Sequence, residues 1–461
     1  MLNRQALWTR LVEKHQSRNP RSLIHSQEAS QFQIRGGSHN LRLFEPFPFF
    51  DEECSGSKVV DLDGNVYVDF WQGHYTNILG HNPPEVVEPL IRELQRGRGL
   101  QTGFPGSLQL ELAKKLSLRT GAEKVRFTTS GSLGTLYSVM LSRAFTKRNL
   151  VLKVGGGWHG SQPYLLKGVT AYTDGLGLVE SSGLHPSISE ETLTTRFNDS
   201  AQLEEVFEKF GEQIACFILE PFIGEGGFLF VAEDYLKRAR ELTREWGALL
   251  ILDEIISGFR FCPSSLASLY GIQPDLSTFG KVLGGGMPLT AVAGRADVLE
   301  LANTSLGHPK QVKFEGGTYA GHPASVLAAI TLLDYLSAHA DEIYPKIHRL
   351  AERARSQIPG IFERAGIRSV VTGGPSGPVS QSSMAVIHFP TQDDTPVSSP
   401  EVVWNPETCD VEMREKILRL ALANEGFHVV HGFGSISTRH TEEEVDSFLS
   451  AVEAVATAIA G

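Results

Sequence analysis

The 461-residue chain has 41% hydrophobic and 21% charged residues, the composition of a globular protein, and is long enough for two or three packed units rather than one core. Its net charge of −11 argues against a nucleic-acid partner, which would need a basic surface. The four cysteines, Cys54, Cys216, Cys262 and Cys409, lie far apart with no CxxC pair, so neither a disulfide framework nor a metal site is expected, and reduced thiols in a cytoplasmic protein are. No stretch reaches the ~18 apolar residues of a spanning helix, so no membrane partner is expected.

The chain opens with MLNRQALWTRLVEKHQSRNP, charged throughout and unlike a secretory signal. It reads as an amphipathic helix with Leu2, Ala6, Leu7, Leu11 and Val12 on one face. That face suits a dimer-packing arm or a surface helix on its own subunit. Residues 57–71, SKVVDLDGNVYVDFW, read as a hairpin turning at Asp63-Gly64. From about residue 83 to 300, helical patterns (ELAKKLSLRTG, LYSVMLSRAFTK, YLKRARELTREWG) alternate with strand patterns (KVRFTTS, LVLKV, ACFILEP, ALLILD). Such alternation predicts an α/β fold with a mainly parallel sheet. After residue 322 the pattern predicts one long helix, PASVLAAITLLDYLSAHADEIYPKIHRLAERARSQI, then the strands and helices of a smaller unit. Residues 373–383 and 390–408, rich in Gly, Pro, Ser and acids, predict loops.

The chemistry concentrates where these strands end. The apolar run GALLILD ends on Asp253, and Lys281 follows in PDLSTFGKVLGGGMPL, ahead of three glycines that let a backbone approach a ligand. Pyridoxal phosphate requires an amine for a Schiff base, an acid at the ring nitrogen and an anion site for the phosphate. Lys281 and Asp253 supply the first two. In TTSGSLGTLYSVML, Ser130, Gly131 and Ser132 sit between a strand and a helix, where amides and hydroxyls make an anion site, or simply a turn and cap. GGGWHGSQ offers Trp158, an indole suited to stack on a pyridine ring, beside His159. FEGGTYAGHP offers the Thr318 hydroxyl for a phosphate. No GxSxG elbow is present to support a serine hydrolase, and neither GxxxxGK[ST] nor GxGxxG supports a nucleotide site.

With GGSHNLR, DGNVYVDF, GHNPPEV, EPFIGEGG, LILDEIISGFR, FGKVLGGGMPL and STRHTEEEVD, these blocks resemble the class III aminotransferases of PLP fold type I, and among them the glutamate-1-semialdehyde aminomutase branch, from about residue 30 to 450. The resemblance implies a large PLP-binding domain, residues 76–322, with a mainly parallel seven-stranded sheet flanked by helices. It implies a smaller α+β domain from residues 1–75 and 323–461. Lys281 would carry the cofactor and Asp253 hold the ring nitrogen, with Ile255 under the ring and Trp158 above it, where relatives carry Tyr or Phe. Ser130, Gly131, Ser132 and His159 complete the expected cofactor set. Thr318 would come from the partner of a homodimer with shared active sites. Arg42 aligns with an arginine that holds a substrate carboxylate. His431 stands one residue before a glycine where some relatives place an arginine, which favours substrates with one acid group.

Three departures bear on function. Leu133 replaces the acid of the usual Ser-Gly-Thr-Glu-Ala block. Ile256 replaces the glutamine of ornithine- and aminobutyrate-type relatives. Ser181-Ser182-Gly183-Leu184-His185-Pro186 matches only loosely the block by which an aminomutase retains its intermediate. The expectation is therefore an aminotransferase moving an amino group between an amino acid or amine and an oxo acid by a ping-pong Schiff-base mechanism. The alternatives are an intramolecular aminomutase of the glutamate-1-semialdehyde type or a PLP-dependent racemase.

Overall fold

Seven short strands form the central sheet of the computed structural model, which describes residues 4–101, 103–170, 175–307, 310–392 and 395–461. In chain order they are β1 (Lys124–Thr128), β2 (Leu150–Val154), β3 (Thr192–Thr195), β4 (Ile214–Leu219), β5 (Leu249–Glu254), β6 (Leu276–Phe279) and β7 (Thr290–Gly294). Their spatial order is β1-β7-β6-β5-β4-β2-β3. Neighbours run parallel except at β7, which pairs antiparallel with both β6 and β1. β4, IACFIL, is buried at every position, as a strand covered by helices on both faces must be. This is the fold type I architecture, with its seven-stranded, mainly parallel sheet.

The N- and C-terminal segments meet in a second sheet. Lys58–Asp61 and Val66–Asp69 form the expected hairpin, and Phe427–His428 adds to it in parallel against Val68 and Asp69. A third sheet joins Val370–Thr372, Met384–His388 and Gly434–Ser435.

The helix Arg4–Arg18 packs on Arg419–Asn424 of the same chain, with Leu7 buried and Trp8 and Leu11 half-buried. Ala6 faces solvent and Leu2 lies outside the described residues. The single long helix expected after residue 322 is two, Pro323–Ala338 and Ala340–Arg364, separated by His339 at φ −118°, ψ 22°. The break follows the packing: the first helix lies against Pro84–Gln95 and Ser107–Thr120, the second against Glu442–Ala460. Asp341 and Glu342 open the second helix, where negative charge suits the helix dipole. The stretch 390–408 is also more ordered than expected, since Pro400–Trp404 is a short helix started by proline. Among the described residues no helix is long and apolar enough to cross a membrane.

Candidate active site

The C-terminal ends of β1, β2, β4, β5 and β6 open onto one cavity of about 950 Å³, the edge where open α/β sheets hold their ligands. Asp253, next to last in β5, is buried with both oxygens engaged. Oδ2 lies 2.8 Å from His159 Nδ1, and Oδ1 accepts from the Thr278 hydroxyl at 2.8 Å and the Ile255 amide at 3.2 Å. Burial pushes the His159 pKa down, which favours the neutral ring. A carboxylate only accepts, which puts the ring proton on Nδ1. Nε2 is then left buried without a hydrogen-bond partner among the described residues.

Lys281 follows β6 after Gly280 and holds a left-handed φ of 45°, a conformation that a side-chain-bearing residue keeps only where its surroundings enforce it. Burial lowers the pKa of its amine, with Glu220, Asp253 and Glu225 pulling the other way. The amine is thereby closer to the neutral, nucleophilic form at ordinary pH.

The helix Gly131–Thr146 begins at the cavity with Ser130 as its N-cap, the serine oxygen accepting from the Leu133 amide at 3.4 Å. Ser132 Oγ accepts from the Ser161 amide at 3.1 Å. Gly160 makes that contact feasible: at φ 83°, a Cβ there would lie 2.3 Å from Ser132 Oγ. Trp158 is 39% exposed, lines the cavity, and donates its amide to Glu220 Oε1 at 2.8 Å. Ile255 lines the same cavity, against Gly131 and Gly280.

Arg42 and His431 both reach this cavity from the terminal segments. Arg42 ends the short turn Asn40–Arg42 and has no ion pair among the described residues. His431 Nδ1 sits 2.9 and 3.0 Å from the two oxygens of Glu415, which Arg414 also contacts. These charges hold the Glu415 carboxyl well below the usual range despite its burial. Thr318 stands apart from the rest: it is exposed and does not line the cavity of its own chain.

Sequence reasoning missed Glu220, Glu225, His39, His74 and Tyr75, all of which line the cavity. Glu220 follows β4 directly, one residue past Leu219, which pairs with Leu252 just before Asp253, and the apolar run ending on an acid in ACFILEP was the available signal. Burial and the nearby Asp253 charge push its pKa up to about 8, while it accepts from the amides of Trp158 and Gly224.

The donor set fits pyridoxal phosphate. A buried carboxylate braced by three donors suits a pyridinium nitrogen, and a lysine with a lowered pKa suits covalent attachment. A helix N-terminus with two hydroxyls suits a phosphate.

The sequence profile of the family described as Aminotransferase class-III matches residues 43–374. A glutamate-1-semialdehyde 2,1-aminomutase of Methanosphaera stadtmanae is 33% identical over 432 residues, covering 92% of this chain and 96% of that protein. Among solved structures, an omega-transaminase from Sphaerobacter thermophilus superposes with a TM-score of 0.84 at 26% identity, over 95% of this chain and 98% of that one. A beta-phenylalanine aminotransferase from Variovorax paradoxus gives a TM-score of 0.82 at 25% identity, over 98% and 96%.

Proposed function

This chain belongs to the class III aminotransferases, and from that premise we propose that it moves an amino group on a small carboxylate-bearing substrate. Its cofactor is pyridoxal 5′-phosphate. The observation that carries the reading is that Lys281, Asp253 and the start of the helix Gly131–Thr146 share one cavity at the C-terminal edge of the sheet. The named relatives favour the intramolecular form, an amino shift within one substrate as in glutamate-1-semialdehyde 2,1-aminomutases, over the expected transfer between two molecules. The second reading, intermolecular transfer, draws support from the omega-transaminase likeness and from the departure at Ser181–Pro186.

When bound, pyridoxal phosphate supplies the electron sink that allows a bond at the amino-bearing carbon to break. The residues of the chain do the rest. Lys281 would hold the cofactor and move the proton at that carbon, a task suited to an amine with a lowered pKa. Asp253 would keep the ring nitrogen protonated, and His159 and Thr278 keep the carboxylate aimed. Ser130, Ser132 and the first amides of their helix would bind the phosphate; Ser132, whose oxygen already accepts from Ser161, keeps its hydroxyl hydrogen for that contact. Trp158 and Ile255 would cover the ring, and Arg42 would take a substrate carboxylate.

We place the activity in a homodimer, with Thr318 of each subunit completing the phosphate site of the other. The exposure of Thr318 outside the cavity of its own chain supports this.

The test is a pair of reactions. Consumption of glutamate 1-semialdehyde with no second substrate supports the intramolecular form. Turnover of an amino compound only when an oxo acid is added supports the second. Failure of both, with no loss of the cofactor's visible absorbance on adding amines, would overturn the proposal.

A further inference from the structure

One wall of the cavity is built from a backbone conformation that sequences avoid. Gln72, Gly73, His74 and Tyr75 all have left-handed φ, at 49°, 61°, 60° and 65°. Only Gly73 takes this region freely; the other three hold it against the strain that a side chain brings. Strain of this kind persists where the surroundings over-determine it, and it gathers at ligand sites.

The buried carboxylate of Asp69 is what enforces it. It accepts from the Trp71 and Gln72 amides at 2.9 and 3.0 Å. It also binds His81 Nε2 at 2.7 Å and His428 Nδ1 at 2.9 Å. The result is a fixed turn that presents His74 and Tyr75 to the cavity with polar atoms unspent. Tyr75 is 7% exposed, yet its hydroxyl has no hydrogen-bond partner among the described residues, and neither does the buried His74 Nε2. Both residues line the cavity.

Glu225 lines the same cavity, and no hydrogen bond or ion pair engages its carboxylate among the described residues. Its backbone carbonyl accepts from the Trp404 indole at 2.5 Å. The Tyr75 and Phe228 rings meet edge to face at 5.1 Å, which brings the turn carrying Gly224, Glu225 and Phe228 to the same end of the cavity as Tyr75.

We propose that His74, Tyr75 and Glu225 form a distal subsite that binds a hydrogen-bond-donating group of the substrate, such as a hydroxyl, amide or ammonium, and turns away a second carboxylate. This rests on the reading of the cavity as the substrate site.

The charges decide which chemistry fits. Burial drives the His74 pKa down to about 3, with His39, Lys281 and Arg42 adding to it, so the ring is neutral at working pH. His431 and Arg414 are already spent on Glu415. A carboxylate entering here would lie against Glu225, whose pKa burial already raises, while Arg42 is taken by the substrate's first carboxylate, an unpaired arrangement that binding disfavours. A donor group would find the Glu225 oxygens. Leaving a buried Tyr75 hydroxyl and a Glu225 carboxylate unsatisfied costs free energy, and a polar ligand removes that cost. The substrate class is therefore an amino acid with one carboxylate and a donor group at its far end.

The test needs no turnover. Two isosteric pairs of unreactive acids are titrated into the holoenzyme by calorimetry: pentanoate against 4-hydroxybutanoate, and glutarate against glutaramate. The donor-bearing member of each pair should bind about tenfold tighter, the worth of one good hydrogen bond. Tyr75→Phe should shrink the first preference, and Glu225→Gln should shrink both and let glutarate in. Both changes are close to isosteric. Equal binding within the pairs, or preferences untouched in both variants, would overturn the subsite. Borohydride labelling of Lys281 in the same samples reports on the cofactor reading separately. A failed label counts against that reading, and the isosteric pairs still decide the subsite.

Discussion

His159 donates through Nδ1 to Asp253 Oδ2 at 2.8 Å, and both side chains are buried. The histidine next to Trp158 therefore braces the carboxylate that we propose for the ring nitrogen from behind, together with Thr278. Asp253→Asn keeps the shape and the Thr278 and Ile255 contacts but removes the charge. The expected outcome is a folded protein with activity lowered by at least about 10²–10³-fold, the scale of losing one aligned electrostatic contact. Steady-state rates alongside circular dichroism check it; near-normal turnover would remove Asp253 from this role.

Lys281 is the attachment site in our reading, since its amine lies in the cavity with a lowered pKa. Lys281→Ala should abolish turnover while leaving noncovalent cofactor binding. Borohydride reduction of the wild type, followed by peptide mapping, should label Lys281, and a label on any other lysine refutes the assignment.

Much of this was legible because strand ends and glycines leave local marks. ALLILD announces β5 and its terminal Asp253, and the glycines after Lys281 announce a close approach. The hairpin at Asp63-Gly64 and the alternation that gives a parallel sheet are likewise local patterns. Two strands were not legible. Thr192–Thr195 and Thr290–Gly294 are four and five residues long, and pairing with neighbours distant in sequence defines them. The distal wall was hidden for the same reason. Nothing in QGHY indicates four left-handed residues; Asp69, His81 and His428 impose them, and His428 comes from the far end of the chain. The split at His339 reflects which elements the two helices pack against, which periodicity does not record.

Arg42 is exposed at the cavity with a guanidinium that carboxylates can take bidentately. Arg42→Ala should lower kcat/KM for an amino acid by roughly 2–4 kcal/mol of transition-state binding and spare an amine of similar shape without the carboxylate. Arg42→Lys should recover only part of the loss. Equal losses on both substrates would make Arg42 structural.

Thr318 is exposed and outside its own chain's cavity, as a residue serving a neighbouring subunit would be. Light scattering should give a dimer. In a hybrid of Lys281→Ala with Thr318→Ala subunits, action across the interface puts both lesions in one site and leaves the other intact. About half the wild-type activity per dimer is then expected, since one of two independent sites survives. Impairment of both sites would mean that Thr318 acts within its own subunit.

Lys153 gives the pH prediction. It is fully buried in β2, where its ammonium donates to the carbonyls of Gly157 at 3.0 Å and Lys167 at 2.8 Å, just behind the Trp158–His159 loop. Burial lowers its pKa from 10.5 to about 7, with Glu180 and Glu220 opposing the shift. Between those two values the unfolded chain holds more protons than the folded one, so the Lys153 contribution to stability rises with pH across the window. Below about 7 the amine is charged in both states and the burial penalty is fully felt; above 10.5 it is neutral in both and the penalty is gone. Lys153→Met cannot titrate. Urea midpoints at pH 6, 8 and 10 should therefore show the wild type gaining on Lys153→Met as pH rises, by a few kcal/mol at most. The slope of the difference is the readout, because the variant also strips two carbonyls of their donor. A difference that stays flat, or that falls with pH, would mean that the folded protein accommodates the Lys153 charge without penalty.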